Sequence, residues 1–305
     1  MTRKLEIPES RDLPDWSHIG GGKVRELYVH RQYKNILLMF ASNRVSAFDF
    51  VLEPEIPEKG RMLTQMSNWW FRKLPAENHL LENYDQELYR DLASHIPSHI
   101  LERSTICRKM DIIPFEFVIR GYLTGSAWAD YLENNTVYGI KLKGKFRQGD
   151  RLPGPIFTPT TKSRTKDTPV RYEDLVNAIG LSHARQLREM CTDYYTTAEQ
   201  IARNKGLIIA DAKFEFGIAE GKVYLADELL TADSARYWDI NSWGQFDLPI
   251  ERRLDSFDKQ AVRDWVKCNS GKNITPQNIT PLRLPQELIQ TVYKKYKTLL
   301  AKLTG

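Results

Sequence analysis

The chain has 305 residues, of which 41% are apolar and 27% charged, with a formal net charge of +5 and three cysteines. That length allows one large domain or two moderate ones with a buried core, and the modest positive balance, not gathered into one basic run, suits small anionic ligands at least as well as a nucleic acid. No apolar stretch approaches the ~20 residues of a membrane span, and "MTRKLEIPES" does not resemble a secretory signal. Cys107, Cys191 and Cys268 are far apart, odd in number and without CxxC spacing, which argues against a disulfide framework or a zinc site. A cytoplasmic globular protein is expected.

In chain order, "GGGKVRELY" (20–28) places a glycine cluster before a β-like run, and "NILLMFAS" (35–42) reads as a buried strand. "MLTQMSNWWFRKL" (62–74) reads as a helix. "STICRKM" (104–110) and "FEFVIRGYL" (115–123) read as strands interrupted at Pro114. Short connections favour antiparallel pairing, with a domain boundary near Ile113–Pro114. "SAWADYLENN" (126–135) predicts a helix with Ser126 as N-cap. Residues 141–169, rich in Pro, Gly, Thr and Lys, predict a long loop. Ala184, Leu187, Cys191, Tyr194, Ala198 and Ile201 form one helical stripe, with Ser182 as cap and Gly206 beyond its end. The strand "GLIIADAKFEFG", a turn at "AEGK" and the strand "VYLADELL" follow as a hairpin. "SFDKQAVRDWVK" and "PQELIQTVYKKYKTLLAKL" read as helices.

Three stretches carry chemistry. Gly20, Gly21 and Gly22 with Lys23 and Arg25 could let backbone amides approach a polyphosphate, although a plain flexible turn has the same composition and no Walker pattern is present. "DAKFEF" alternates with period two, putting Asp211, Lys213 and Glu215 on one face, each about 7 Å apart, and Ala212, Phe214 and Phe216 on the other. With Asp227 and Glu228 on the partner strand, this is either a solvated face or a site for a metal ion and a phosphorylated substrate. A two-residue turn at Glu220-Gly221 would send Asp227 to the apolar side; a three- or five-residue loop, or a bulge, would set it opposite Glu215, and that second arrangement is the expectation. In "VIRGYLTGSAW", Arg120 ends an apolar strand just before a helix start, where it could clamp an anion or simply pair with an acid. "TADSAR" repeats the theme with Asp233 and Arg236. Lys162, taken alone, reads as a solvated charge.

Together these blocks resemble the phosphoribosylaminoimidazole-succinocarboxamide synthase family, the SAICAR synthetases. "GKVRELY", "SNRVSAFDF" with "IPEKG", "FEFVIRGYLTGSAW", "PIFTPTTK", "GLIIADAKFEFG" and "ADELLTADSARYWD" occur in the family's order over most of the chain, and "SFDKQAVRDW" is similar to the family's longer form. The resemblance implies an α+β, two-lobed, kinase-like fold: an antiparallel lobe over residues 1–113, a larger α+β lobe over 114–305, and an ATP cleft between them. It implies an ATP-dependent carbon–nitrogen ligase of purine biosynthesis. Such an enzyme joins L-aspartate to carboxyaminoimidazole ribonucleotide (CAIR), giving SAICAR, ADP and phosphate through an acyl phosphate.

By the same resemblance, Gly22, Lys23, Val24 and Arg25 would meet the ATP phosphates with Lys162, and Met110 and Ile112 would lie by the adenine. Glu215 and Asp227 match the Mg²⁺-binding acids. Arg120, Ser126, Asp211, Asp233 and Arg236 match positions that hold the imidazole ribonucleotide, with Lys213 near the transferring phosphate; Arg120, Asp211 and Lys213 are the catalytic candidates. "SAFDF" with Lys59 matches an aspartate or nucleotide contact. Asn43 and Ala232 stand where the family often has Asp and Pro, and the residues after Lys162 match no family pattern. The implied partners are small molecules alone, with no nucleic acid or membrane, and a monomer is expected. Acyl phosphate chemistry asks a protein for positioning and charge neutralisation, which suits abundant Lys, Arg and acids without a Ser-His-Asp constellation. A small-molecule kinase would keep the ATP residues without needing "RGYLTGS" and "TADSAR" together; a nucleotide- or RNA-binding protein rests on the basic balance alone.

Overall fold

The computed structural model of the chain describes residues 7–48, 50–162, 168–270 and 283–305. It is α+β with antiparallel sheets, as expected. Two compact units interleave in sequence. The first comprises Met1–Ile112, Phe216–Glu228 and Lys259–Thr304; the second comprises Ile113–Glu215, Leu229–Asp258 and Gly305. The chain leaves the first unit after Ile112 and returns to it twice.

The first unit is built on a four-stranded sheet in the order Trp16–Gly21, Arg25–His30, Ile36–Ala41, Ser104–Arg108. Along Arg25–His30 every second residue turns inward, and the register sets Tyr28 opposite Leu38 and Glu26 opposite Phe40. Opposed residues share a face, so these strands build one core with Trp16, Ile36 and Ile106, closed by Leu92 and Ile100 from two short helices. The same alternation carries a carboxylate inside: Glu26 is 5% exposed, and a charge so placed requires a partner. The helix expected over 62–74 runs Lys59–Lys73 and buries Met62, Met66 and Trp70. It packs on the C-terminal helix Gln286–Thr304, whose Ile289, Val292, Tyr296, Leu299 and Leu303 form a single apolar stripe. Asn43 accepts the Gly60 N–H on Oδ1 at 3.0 Å; an aspartate would supply the same oxygen, so this departure from the family leaves the helix start anchored.

The hairpin turn differs from expectation. Glu220 and Gly221 alone join Leu207–Ala219 to Lys222–Ala226, with φ of 51° and 74°, the left-handed pair that a twisted two-residue hairpin demands. There is no three- or five-residue loop. The parity argument nevertheless ends at Ala226, where the strand ends, because Asp227 has φ 60° and the chain turns there.

The second unit carries a sheet in the order Arg151–Thr161, Phe115–Tyr122, then the stretch of Leu207–Ala219 up to Glu215, then Ala235–Asp239. The first of these strands lies inside the predicted loop 141–169. Pro153, Pro155 and Pro159 made it look irregular, but an end strand needs no outward N–H donors and tolerates proline. The part of that loop over residues 163–167 lies outside the described residues, as does Asp49 of "SAFDF". The helix expected near 126–135 runs Gly125–Asn134 with Thr124 at the N-cap position, so Ser126 is inside the first turn rather than its cap. The long helix is Leu181–Arg203, with Gly180, not Ser182, at its cap position. Its buried stripe is Ala184, Leu187, Cys191, Tyr195, Ala198 and Ala202, a true 3.6 repeat that drifts one residue past the predicted Tyr194 and Ile201.

Tyr195 locks this helix to the sheet. Its hydroxyl donates to the Ile209 carbonyl at 2.6 Å, and burial pushes the phenol well up, so it stays a donor. A Cβ on Gly121 would lie 1.9 Å from that oxygen. Gly121→Ala should therefore cost about 1–3 kcal/mol through overpacking. Tyr195→Phe removes the clashing oxygen, so the double variant should lose less than the two single losses combined in urea unfolding; strict additivity would show that the contact does not govern this site.

Candidate active site

In the first unit, the Gly22 N–H donates to the Arg25 carbonyl at 2.8 Å and closes the glycine-rich turn Gly22–Arg25, which carries Lys23 and Val24. Cβ atoms on Gly20 or Gly22 would meet no described atom within 4 Å, whereas one on Gly21 would lie 2.2 Å from Glu26 Oε2. Gly21 is thus required for close approach, and Gly20 and Gly22 keep the turn uncovered. The Arg25 guanidinium is held by consecutive acids: Nη1 lies 2.8 Å from both carboxylate oxygens of Asp227, and Nη2 lies 2.6 Å from Glu228 Oε2. The acid expected to hold metal and the arginine expected to meet phosphate are therefore brought together. Met110 and Ile112 come to one place as well. Ile112 pairs with Gly217, where a Cβ would stand 2.7 Å from Met110 Cβ and 3.3 Å from Ile112 Cδ1. The glycine ending "DAKFEFG" is what lets this segment pack so closely.

The stretch beside Asp227 is braced by His79, whose backbone N–H donates to the Leu225 carbonyl at 3.1 Å and whose ring packs on Phe71. Burial, opposed in part by the Asp227 charge, lowers the ring pKa from 6.5 to about 4. Sequence inspection passed over this residue, because one histidine without ligand spacing gives no signal.

In the second unit, the charged face of Leu207–Ala219 forms two clusters. Asp211 is directly opposite Arg120 on one neighbouring strand and Arg236 on the other. Its Oδ2 lies 3.2 Å from Arg120 Nη1 and 2.8 Å from Arg236 Nη1. A bulge makes the second pairing possible: Ile209 faces Tyr237, Ala210 is the extra residue, and Asp211 then faces Arg236 instead of Ala235. Arg120 also donates to Thr158 Oγ1 at 3.0 Å and, at 3.5 Å, to Ser126 Oγ. Arg236 lies 3.6 Å from Asp258 Oδ2 and against Gly125, where a Cβ would come within 2.9 Å of its Nη1. Both guanidinium groups thus sit by the start of the helix Gly125–Asn134, whose first N–H groups favour an anion. Asp233 stands in the turn before Ala235–Asp239, its N–H donating to Thr231 Oγ1 at 3.1 Å.

The second cluster alternates in sign. Lys213 Nζ donates to Glu116 Oε1 at 2.6 Å and Glu215 Oε1 at 3.1 Å, and Lys162 bonds the other oxygen of Glu215. Glu215 is 4% exposed while Lys213 and Asp211 are half-buried. Lys162, which read as a solvated charge in isolation, belongs to this cluster. Glu116 and Asp258 were missed. A signal for Glu116 was present, since the tripeptide "FEF" occurs at both 115–117 and 214–216; nothing local marks Asp258.

Asp211→Ala would strand two nearly buried guanidinium groups, so unfolding free energy should fall by about 3–5 kcal/mol. Asp174→Ala, which breaks the exposed pair with Arg171, should leave the urea midpoint where it was. Equal shifts in the two variants would contradict this burial argument. For His79 the unfolded chain takes up a proton first as pH falls. The neutral buried ring therefore stabilises fully above about 6.5 and loses about 3 kcal/mol as pH falls to about 4. His79→Leu should flatten the urea-unfolding stability profile across that window, and an unchanged slope would assign the acid loss elsewhere.

A sequence model of the SAICAR synthetase family matches residues 18–278. The chain is 99% identical over its full length to the phosphoribosylaminoimidazole-succinocarboxamide synthase of Tropheryma whipplei (strain TW08/27), covering all of both chains. It is 42% identical to that of Leifsonia xyli subsp. xyli over 96% of this chain and 99% of the relative. Among solved structures, the SAICAR synthase of Saccharomyces cerevisiae in complex with SAICAR aligns with a TM-score of 0.80 at 32% identity, covering 100% of this chain and 98% of that one. A type-2 SAICAR synthetase in complex with ADP shares the fold, with a TM-score of 0.66 at 21% identity over 95% and 98% of the two chains. By sequence along its length and by structure, the chain belongs to the SAICAR synthetase family.

Proposed function

We propose that the chain performs the family's ligation: ATP phosphorylates the carboxylate of CAIR, and the amine of L-aspartate displaces phosphate from the acyl phosphate to give SAICAR, ADP and phosphate. The observation that carries this reading is the charged face of Leu207–Ala219, where Asp211 aims two arginines and Lys213 stands between two carboxylates. A carboxylate is a poor electrophile, so the protein's work is to align two anions that repel one another and to neutralise the charge that moves between them.

Arg120 and Arg236, with Ser126, Asp233 and the amides of the helix start, hold the anionic ribonucleotide; Asp211 orients both arginines. Lys213, charged and fixed by Glu116 and Glu215, stabilises the transferring phosphoryl group. Gly22, Lys23, Val24 and Arg25 cradle the ATP phosphates with Lys162, and Met110 and Ile112 border the adenine. Among the described residues no group of three or more His, Cys, Asp or Glu could cage a metal. Mg²⁺ takes one or two protein carboxylates and completes its shell with water and phosphate. Glu215 and Asp227 are the acids that would hold it, and it would neutralise negative charge on the phosphates. Each now has a cationic neighbour whose counter-charge a metal can replace. No helix among the described residues is long and apolar enough to cross a membrane. From the family's biosynthetic role we assign the chain to the cytoplasm, with small molecules as its partners.

The test is ADP release from Mg·ATP and CAIR, with and without L-aspartate. Release should require both substrates and match SAICAR formed; turnover indifferent to aspartate would point to a kinase, and no turnover would reject the enzyme reading. Lys213→Ala should lower kcat by about a hundredfold or more, and Glu215→Ala should likewise collapse turnover, with circular dichroism retained in both. Near-normal activity in either variant would remove that residue's role.

A further inference from the structure

We propose that Arg44, deep in the first unit, is a positioning residue for the glycine-rich phosphate turn; this rests on the reading of Gly22–Arg25 as the ATP-phosphate segment. Arg44 is 8% exposed and stands beneath that turn. Its Nη2 lies 2.6 Å from Oε1 of the buried Glu26 and 3.4 Å from the Gly22 carbonyl. Its Nε donates to Ser42 Oγ at 2.8 Å, and the same hydroxyl donates onward to the Val24 carbonyl at 2.8 Å, which also accepts the Ser42 N–H at 2.9 Å. His18 holds the other Glu26 oxygen at 2.8 Å.

The consequence is electrostatic. A turn that receives phosphate must keep carbonyl oxygens, the negative ends of its peptide dipoles, away from the anion. In this turn the carbonyls of Gly22 and Val24 are both drawn onto protein donors, Arg44 and Ser42. Glu26 holds Arg44 in place, and Gly21 is glycine because Glu26 Oε2 occupies the space of its Cβ. Only the arginine fork spans Ser42, Glu26 and Gly22 at once; lysine can balance Glu26 as a point charge but cannot make the three contacts together. Arg44 thus prepares the turn from below without touching the nucleotide.

The experiment measures Mg·ADP affinity by calorimetry on the full chain, together with KM for each substrate, in wild type, Arg44→Lys, Ser42→Ala and Ser104→Ala. Ser104, a buried serine bonded to the Ile100 carbonyl, serves as a destabilised control within the same unit. Arg44→Lys should raise the Mg·ADP Kd and the KM for ATP about ten- to a hundredfold. KM for CAIR and L-aspartate should stay within about twofold of wild type, against the tenfold that 1.4 kcal/mol would give. Ser42→Ala should move the same two constants less, and Ser104→Ala should move neither. An unchanged Kd in folded Arg44→Lys, or a parallel rise for all three substrates, would overturn the assignment. Failure of the wild type to bind Mg·ADP would instead sink the phosphate reading of the turn, and this inference with it.

Discussion

One extra residue decides what the central strand of the second unit can do. Without the bulge at Ala210, the pairing that sets Ile209 opposite Tyr237 would continue and leave Asp211 facing Ala235. With it, Asp211 faces Arg236, while the other neighbouring strand already offers Arg120 at the same level. Opposed residues share a face, so a single carboxylate stands between two guanidinium groups by construction. Neither arginine would be tolerable at that burial alone, since the desolvation of an unpaired charge exceeds what its packing returns. The contacts of Arg236 to Asp258 and to the bare backbone at Gly125 accompany that arrangement, while Arg120 reaches Thr158 and Ser126 from the unshifted side.

The same strand serves chemistry and core because its period is two. Phe214 meets Tyr194 and is fully buried, while Lys213 and Glu215 on either side of it, like Asp211 before them, lie on the polar face. A slip of one residue would exchange those faces, exposing the phenylalanine and burying a lysine. Strand register is therefore tied to function as tightly as to stability, and close packing defends it: Gly121 admits Tyr195, and Gly217 admits Met110.

Much of this was legible beforehand, because alternation and charge signs are local properties of a sequence. "DAKFEF" announced its two faces, and the "RGYLTGSAW" and "TADSAR" blocks announced the arginines that the sheet brings to Asp211. What escaped inspection depends on neighbours. Arg151–Thr161 looked like a loop because its prolines are acceptable only at the end of a sheet, a position the sequence does not state. Lys162 looked solvated until Glu215 was placed beside it. The hairpin was expected to need a longer loop or a bulge so that Asp227 would come opposite Glu215, but a two-residue turn joins the strands, the second strand ends at Ala226, and a left-handed Asp227 takes that residue out of strand parity. Asp258 arrives from a distant segment and carried no local mark.

Two alternating strands, "RELYVH" and "DAKFEF", each carry a glutamate to the inside, and their counter-charges separate a scaffold from a working group. Glu26 is matched by Arg44, a rigid planar fork that is itself buried and committed to Ser42 and Gly22. Such a pair is costly to open, and its value lies in geometry held constant. Glu215 is matched by two lysines, compact point charges on flexible stems, of which the Lys162 side chain is 41% exposed. A lysine as exposed as Lys162 can move aside and be hydrated, so under the proposed function a Glu215 oxygen would exchange that partner for a cation delivered with the nucleotide at modest cost. Burial depth is similar for the two acids, 5% and 4% exposed; the character of the cation facing each one suits Glu26 to holding a shape and, under the proposed function, Glu215 to exchanging a partner.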